Sequence, residues 1–336
     1  MHDTKFSVII CTRERVGFLR ETIEAISARL LNFPNSRIVV VYGTSTDGTG
    51  EYLTQLASEN SRVVVLYEPT PGLYHARVVG LAQTTSDEFI IFLDDDVLPG
   101  ANWPDGLLSE LVQHPDVGVV GTAIDPKWEG ARPAWMTDRF ARDIPIFSIP
   151  NGYQSYRFPC YPPGVCLALR VRDFLRLYAA PERKGIGLGL GAHNIMKKGM
   201  GLGGDDWDLS ELYVQNGYKV VAVDRVRVWH RVIPEKLTPA WLLRKFELDG
   251  RLQIGYARLA GYPLLSRRVA LLLILFPGLF FADVAIRAFG LQGPKNLTLQ
   301  AYARRAGGTW KELLWGMRGV RFPFTLKDAR TSDGAA

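Results

Sequence analysis

Glu88-Phe-Ile-Ile-Phe-Leu-Asp-Asp-Asp-Val-Leu-Pro99 decides the fold. Its apolar run, Phe89 to Leu93, has no 3.6-residue period and so suits a strand buried on both faces. The run ends abruptly on three carboxylates. Toward the N-terminus the pattern repeats, because Phe6 to Cys11, Arg37 to Tyr42 and Val63 to Tyr67 are short runs rich in β-branched residues. Between them, Leu19, Ile23, Ile26 and Leu30 mark one face of a helix over Leu19 to Leu31. Further helices are predicted over Glu51 to Glu59 and, after the Pro71-Gly72 turn, over Tyr74 to Gln83. Strand and helix alternate with short connections, which predicts an α/β fold with a Rossmann-like, mostly parallel sheet. In such sheets ligands bind beyond the carboxyl ends of the strands. The polar clusters at 12–15, 43–49 and 94–96 all fall at those ends, so one crevice is expected to collect them.

Toward the C-terminus the signals change. From Pro126 to Pro163 the chain is irregular and rich in Pro, Trp, Tyr and Arg, as binding loops or lids are. A glycine-rich stretch, Gly185 to Gly204, precedes Asp205-Asp-Trp-Asp208, which opens a helix through Gln215. A strand over Tyr218 to Val223 leads towards Val228-Trp-His230, and after Pro239 the chain reads as helices to about Met317. The expected division is a catalytic domain over 1–240 and a helical, basic and apolar region over 241–330.

Composition limits the partners. Of 336 residues 47% are hydrophobic and 22% charged, a balance that supports a sizeable core. The net charge of +6 is uneven, since residues 241–336 hold 15 Lys/Arg against 6 Asp/Glu and the rest is slightly acidic. A basic region fits anionic lipid or nucleic acid. The same region contains the apolar run Val269 to Ala282, which nucleic acid has no use for, so a membrane surface is the expected partner. Residues 269–286 are apolar except for Asp283, short for a bilayer span, and interrupted by Pro277-Gly278. An interfacial or re-entrant hairpin is expected there, held by Arg267, Arg268, Arg287, Trp310 and Trp315, with a soluble pair of core helices and a full span as the alternatives. A span would place the basic residues after 288 outside. Cys11, Cys160 and Cys166 offer neither an even disulfide framework nor metal-ligand spacing, as in reduced structural thiols. The first residues, Met1 to Phe6, lack the apolar segment of a secretion signal, so a cytoplasmic body is expected.

Four groups carry chemistry. Asp94, Asp95 and Asp96 repel one another, and burying them is costly unless a cation compensates. Hard oxygen ligands suit Mg²⁺ or Mn²⁺, which bridge diphosphate oxygens. The plainer alternative is a solvated acidic turn. Asp205 and Asp206 sit at a helix N-terminus, where a carboxylate caps the helix or serves as a general base towards a sugar hydroxyl. His230 either completes a metal shell or packs. Arg77 either neutralises phosphate or an acid, or lies on the surface. Gly43 to Thr49 is no Walker loop, and no Gly-x-Gly-x-x-Gly turn follows the first strand, which excludes those two nucleotide-binding classes. No Ser-His-Asp or Cys-His arrangement is legible by spacing.

Taken in order, these stretches resemble family 2 of the inverting glycosyltransferases with the GT-A fold, from Phe6 to about Tyr256. Ser7-Val-Ile-Ile-Cys-Thr-Arg-Glu-Arg15 is similar to the family's opening strand and nucleotide-contacting turn, which implicates Thr12 and Glu14. Val39 to Thr49 resembles its second strand and Ser-Thr-Asp-Gly-Thr turn. Glu68, Gly72, Ala76, Arg77 and Gly80 match its third-helix pattern, and Phe92 to Pro99 its Asp-x-Asp segment. The resemblance implies that Asp96 binds the metal, Mn²⁺ or Mg²⁺, with His230 near it or the diphosphate. It places Asp94 on the ribose or the metal shell, Asp95 and Arg77 on the nucleotide sugar, and Asp206, beside Asp205, as the base. Tyr42 departs from the pattern, since the family has an acid there that contacts the nucleobase; Tyr42 would stack or hydrogen-bond instead. Glu14 replaces the usual Asn and Lys236 the commoner Arg.

Pro162 to Arg170 and His230 to Thr238, with Arg244 and Gly250, look like a bacterial subset that builds surface polysaccharides on lipid carriers. That likeness implies a nucleotide-diphosphate sugar donor, a lipid-linked glycan acceptor, and work at the cytoplasmic face of the bacterial inner membrane. A polyprenyl-phosphate acceptor and a catalytically silent sugar-nucleotide-binding subunit are the alternatives.

Overall fold

In the computed structural model of the chain, four strands alternate with three helices up to Asp94. It describes residues 3–315 except 138–139, 141–143, 145, 150–151, 159, 180–204, 260–266 and 292. The strands are β1 (Phe6–Thr12), β2 (Ser36–Tyr42), β3 (Val63–Tyr67) and β4 (Phe89–Asp94), and the helices are α1 (Val16–Arg29), α2 (Thr49–Glu59) and α3 (Leu73–Ala82). The strands lie in the order β3-β2-β1-β4, all parallel. Thr12 pairs with Tyr42, Tyr42 with Tyr67, and Cys11 with Asp94, so the four carboxyl ends are level.

Alternate residues explain the unbroken apolar runs. Val8, Ile10, Val40 and Ile91 pack with Leu19, Ile23, Ile26 and Leu53 of α1 and α2 on one face of the sheet. Ile9, Val39, Val41, Ile90 and Phe92 pack with Val78 and Leu81 of α3 on the other. β1, β2 and β4 therefore bury both faces along most of their length, and polar side chains gather towards the strand ends.

Beyond β4 the sheet is mixed, which corrects the expectation of a mostly parallel one. The order continues β4-β8-β6-β9-β5, with β7 also on β9. The elements are β5 (Val97–Pro99), α4 (Asp105–Gln113), β6 (Val117–Trp128), β7 (Tyr153–Tyr156), β8 (Cys166–Arg170), α5 (Val171–Ala179), α6 (Asp205–Gln215) and β9 (Lys219–Val232). β8 runs antiparallel to β4 and β6, and β5 and β7 run antiparallel to β9. Past Asp94, among the described residues, only β6 and β9 pair in parallel.

Two further expectations change. The pieces Tyr218 to Val223 and Val228 to His230 are one 14-residue strand, kinked where its register on β6 shifts between Val223 and Arg227. β6 continues through Pro126 to Trp128, inside the stretch expected to be irregular, at the cost of one backbone donor. That stretch is also wedged rather than free. Met136, Phe140 and Ile144 are buried with Val232, Leu242, Phe246, Leu297 and Ala301, which joins the sheet to the C-terminal helices.

Those helices are α7 (Pro239–Leu259), α8 (Arg267–Ala288) and α9 (Pro294–Trp315). α7 and α9 approach backbone to backbone: a Cβ on Gly250 would lie 2.1 Å from the Arg305 carbonyl oxygen, and one on Gly308 2.0 Å from that of Glu247. α8 packs on α9, with Phe276 against Trp310 and the buried Asp283 paired to Arg287 and bonded by Gln300. The hairpin expected at Pro277-Gly278 does not form; α8 is one helix with Pro277 inside it. No helix among the described residues is long and apolar enough to cross a membrane. The outer face of α8 exposes Leu271, Ile274, Leu275, Phe280, Phe281 and Val284.

Candidate active site

The level ends of β1 to β4 open on a cavity of about 310 Å³. Its wall is built by Cys11, Thr12, Arg13 and Arg15 after β1, Gly43 and Thr44 after β2, Glu68 to Leu73 between β3 and α3, and Asp94 and Asp95 after β4. The polar clusters read from the sequence converge as the fold class requires.

The acidic turn is held from both sides. Asp95 is buried, accepts the Thr12 hydroxyl at 2.6 Å and Arg15 Nη1 at 2.9 Å, and offers its carbonyl to the Thr22 hydroxyl. Burial pushes its carboxyl above the usual range, and Arg15 only partly offsets this. Asp96 is buried too, yet its carboxyl is held below the usual range. Burial alone would raise it, but His230, Lys236 and Arg15 together outweigh burial. Arg15 Nη1 donates to Asp96 Oδ2 at 3.2 Å, and Lys236 Nζ stands 3.9 Å from the same oxygen. Burial and the nearby Arg15 push the Lys236 amine below its ordinary value, against the pull of the Asp96 carboxylate.

His230 reaches this turn through strand register. β5 follows Asp96 directly and pairs antiparallel with β9 so that Val97 faces His230, while the Arg231 N–H donates to the Asp96 carbonyl. Arg231 is itself buried and paired with Glu21 and Glu129, which pins β9 at this point. Nε2 of His230 lies 3.3 Å from Asp96 Oδ1. That contact is not in hydrogen-bond geometry, so Oδ1 of Asp96 and Nδ1 of His230 are buried without hydrogen-bond partners. Asp94, Asp96 and His230 each bring one ligand atom within 4.8 Å of the others. Two carboxylates and an imidazole, one buried carboxylate oxygen unsatisfied, fit a divalent cation; the oxygen-rich set suits Mg²⁺ or Mn²⁺, and the imidazole weighs towards Mn²⁺.

The second acidic cluster meets the first across one glycine. Gly164 donates its N–H to Asp206 Oδ2 at 2.9 Å, and its carbonyl accepts Arg77 Nη2 at 3.0 Å. Arg77 lies 3.6 Å from Asp94 Oδ1 and 5.0 Å over the Phe92 ring. It is buried, so the surface alternative for Arg77 is removed. Asp206 also accepts the Trp207 N–H at 2.9 Å through Oδ1. Asp205 opens α6, and its side chain lies outside the described residues, as does the glycine-rich stretch up to Gly204.

Of the residues marked in the sequence, Thr12, Asp94 and Asp95 line the cavity wall, whereas Arg77, Asp96, Asp206, His230, Glu14 and Tyr42 are not part of it. Glu14, at φ 54°, links the two turns: its N–H donates to Ser45 Oγ at 3.0 Å and its Oε1 accepts the Thr46 N–H at 2.9 Å. Tyr42 packs against Tyr67, with ring centroids 5.2 Å apart, and beside Gly50 of α2. Asp47 caps α1 through the Val16 N–H and α2 through the Thr49 N–H. Arg15 and Gly164 were not singled out by the sequence. Arg15 lay within the polar cluster at 12–15, and Gly164 within the Pro162 to Arg170 stretch of the resemblance, with no role attached to it.

The family model "Glycosyl transferase family 2" matches residues 7–173, just under half of the chain. These residues form a family 2 glycosyltransferase domain. Glycosyltransferase GlyA of Streptococcus pneumoniae serotype 4 is 27% identical over 112 residues, 33% of this chain and 16% of its own length. An uncharacterized glycosyltransferase of Rickettsia felis is 33% identical over 98 residues, 29% of this chain and 16% of its own. The matched part is thus a small share of those curated relatives. Among solved structures, the mannosyltransferase PcManGT of Pyrobaculum calidifontis, in complex with GDP-Man and Mn²⁺, superposes with a TM-score of 0.51 at 18% identity, covering 94% of this chain and 88% of that one. GalNAc-T7 with UDP, GalNAc and Mn²⁺ gives the same score and identity, covering 78% of this chain and 52% of that one. The likeness shows the fold, a GT-A α/β architecture with a mixed sheet, and the family 2 domain carries the cavity, the acidic turn and Gly164.

Proposed function

We propose that the protein transfers a sugar from a nucleoside-diphosphate donor to a hydroxyl of a lipid-linked glycan, with inversion, at the cytoplasmic face of the bacterial inner membrane. The observation that carries the transfer is the chain of contacts from Asp206 through Gly164 and Arg77 to Asp94, which sets a carboxylate close to the cation-binding set. Asp206 takes the proton of the acceptor hydroxyl while that oxygen bonds to the anomeric carbon. The bond from that carbon to the diphosphate oxygen breaks, and its electron pair leaves with the nucleoside diphosphate. Attack opposite the leaving group inverts the configuration. Asp94, Asp96 and His230 would hold Mn²⁺ or Mg²⁺, which supplies Lewis-acid neutralisation of the diphosphate charge. Gly164 and Trp207 orient the Asp206 carboxylate, and Arg77 neutralises Asp94 on the side facing it. Arg15 and Lys236 balance the charge of the buried turn.

The lipid-linked acceptor and the bacterial surface-polysaccharide role rest on the C-terminal helices. An exposed apolar face on α8, within a region of 15 Lys/Arg against 6 Asp/Glu, fits a helix lying in the plane of an anionic membrane surface. Membranes containing the protein, incubated with Mn²⁺ and a panel of labelled nucleotide sugars, should pass label into the organic extract, and EDTA should stop it. Label that accumulates only in water-soluble glycan would sink the lipid-linked acceptor.

A further inference from the structure

We infer that Glu68, rather than Tyr42, reads the donor nucleobase, and that it selects bases with a ring N–H (uracil, thymine or guanine) over cytosine and adenine. The inference rests on the proposed nucleoside-diphosphate donor. With the diphosphate beside Asp94 and Asp96, the nucleoside must extend along the cavity towards the outer strand. β3 and β4 flank β2 and β1 with level ends, three strand spacings or about 14 Å apart. The cavity wall spans that width, from Asp94 and Asp95 at one side to Glu68 and Thr70 at the other.

The last residue of β2 does not serve that far end. Tyr42 packs in the core cluster on the α1–α2 face of the sheet, against Tyr67 and over Gly50. Glu68, the next residue after β3, does line the cavity. Its own N–H donates to the Tyr42 carbonyl at 3.0 Å, and its Oε1 accepts the Thr70 N–H at 2.7 Å. Both bonds fix the carboxylate in place, and Oε2 has no partner among the described residues. Thr44, also on the wall, shares a 2.9 Å hydrogen bond with the Tyr67 hydroxyl and sets an oxygen beside the same end.

A carboxylate accepts hydrogen bonds and donates none. The N3–H of uracil or thymine and the N1–H of guanine satisfy it. Cytosine N3 and adenine N1 present lone pairs at the corresponding ring position, so in the same pose they set an acceptor against an acceptor, and only a shifted pose lets their exocyclic amines donate. Glu68 thus takes over the acceptor role that an acid at the end of β2 would supply.

The test is equilibrium binding of UDP, GDP, CDP and ADP, each with Mn²⁺, to the full chain by titration calorimetry. Wild type should bind UDP or GDP about 10-fold or more tighter than CDP and ADP. Glu68→Gln, checked for an unchanged melting temperature, keeps an acceptor for Thr70 but can donate to cytosine N3, so the ratio of UDP to CDP affinity should collapse. Equal weakening of all four nucleotides, or collapse of the ratio in Tyr42→Phe instead, would overturn the inference. Equal wild-type affinity for CDP and UDP would overturn it too, while leaving the donor class intact. Absence of binding by any of the four to folded wild type would overturn the donor class along with it.

Discussion

Gly164 donates its backbone N–H to Asp206 over 2.9 Å, and there is no room between them for a side chain. A Cβ at position 164 would lie 3.0 Å from the Asp206 Cβ and 3.2 Å from Arg77 Nη2. Gly164→Ala should therefore push the carboxylate and the guanidinium apart. Transfer should fall about 10-fold or more while donor affinity changes little, because a shift of under an ångström suffices to misplace a base. Single-turnover transfer beside equilibrium donor binding separates the two effects.

The cation set makes its own prediction. Asp96→Asn and His230→Ala should each lower Mn²⁺ affinity at least about 10-fold. Asp96→Asn should in addition release Arg15 and Lys236 from a buried partner, so it should also lower the melting temperature of the metal-free protein. Calorimetric Mn²⁺ titration and thermal melts with EDTA distinguish the contributions.

How much of this was legible in the sequence depends on how local each signal is. β1 to β4 were readable because their runs are mostly apolar without a helical period, and their abrupt polar carboxyl ends marked the cavity. The meeting of Asp96 with His230 was not readable as geometry. It depends on the antiparallel register of a three-residue strand, Val97 to Pro99, against β9, more than a hundred residues further along the chain. Arg77 resembled a surface arginine because its partners, Asp94 and the Gly164 carbonyl, come from β4 and from the loop before β8. The orientation of Tyr42 followed from packing against α2 and Tyr67, which no local pattern encodes. Pro277-Gly278 looked like a turn by composition. It sits inside a helix that packs along α9, and tertiary contacts outweigh the local penalty.

The thiols should react in a fixed order. Cys160 is exposed, Cys11 is half-buried on the cavity wall, and Cys166 is fully buried, its thiol pushed up to about 12 by desolvation. The thiolate is the reactive form, and a raised value keeps Cys166 protonated through neutral and mildly alkaline pH. A maleimide at pH 7 to 9 should label Cys160 fast and Cys166 only after unfolding. Nucleoside diphosphate with Mn²⁺ should protect Cys11 and leave Cys160 unchanged, as read by mass spectrometry of labelled peptides.

The outer face of α8 gives the membrane prediction. Ile274 and Phe281 are 74% and 70% exposed, so replacing either with Glu adds charge to an exposed surface. Flotation with vesicles containing anionic lipid should recover wild type, and Ile274→Glu with Phe281→Glu should abolish recovery without changing the melting temperature. Equal flotation of wild type and the double variant would remove α8 as the docking surface.

Asp206 is the proposed base, and Asp206→Asn isolates that role, since the amide oxygen can still accept the Gly164 N–H. With Mn²⁺ and the donor that wild type uses, the variant should bind donor with unchanged affinity and lose transfer by roughly 10²- to 10⁴-fold, the usual contribution of a positioned base. Transfer by Asp206→Asn at the wild-type rate would contradict the account.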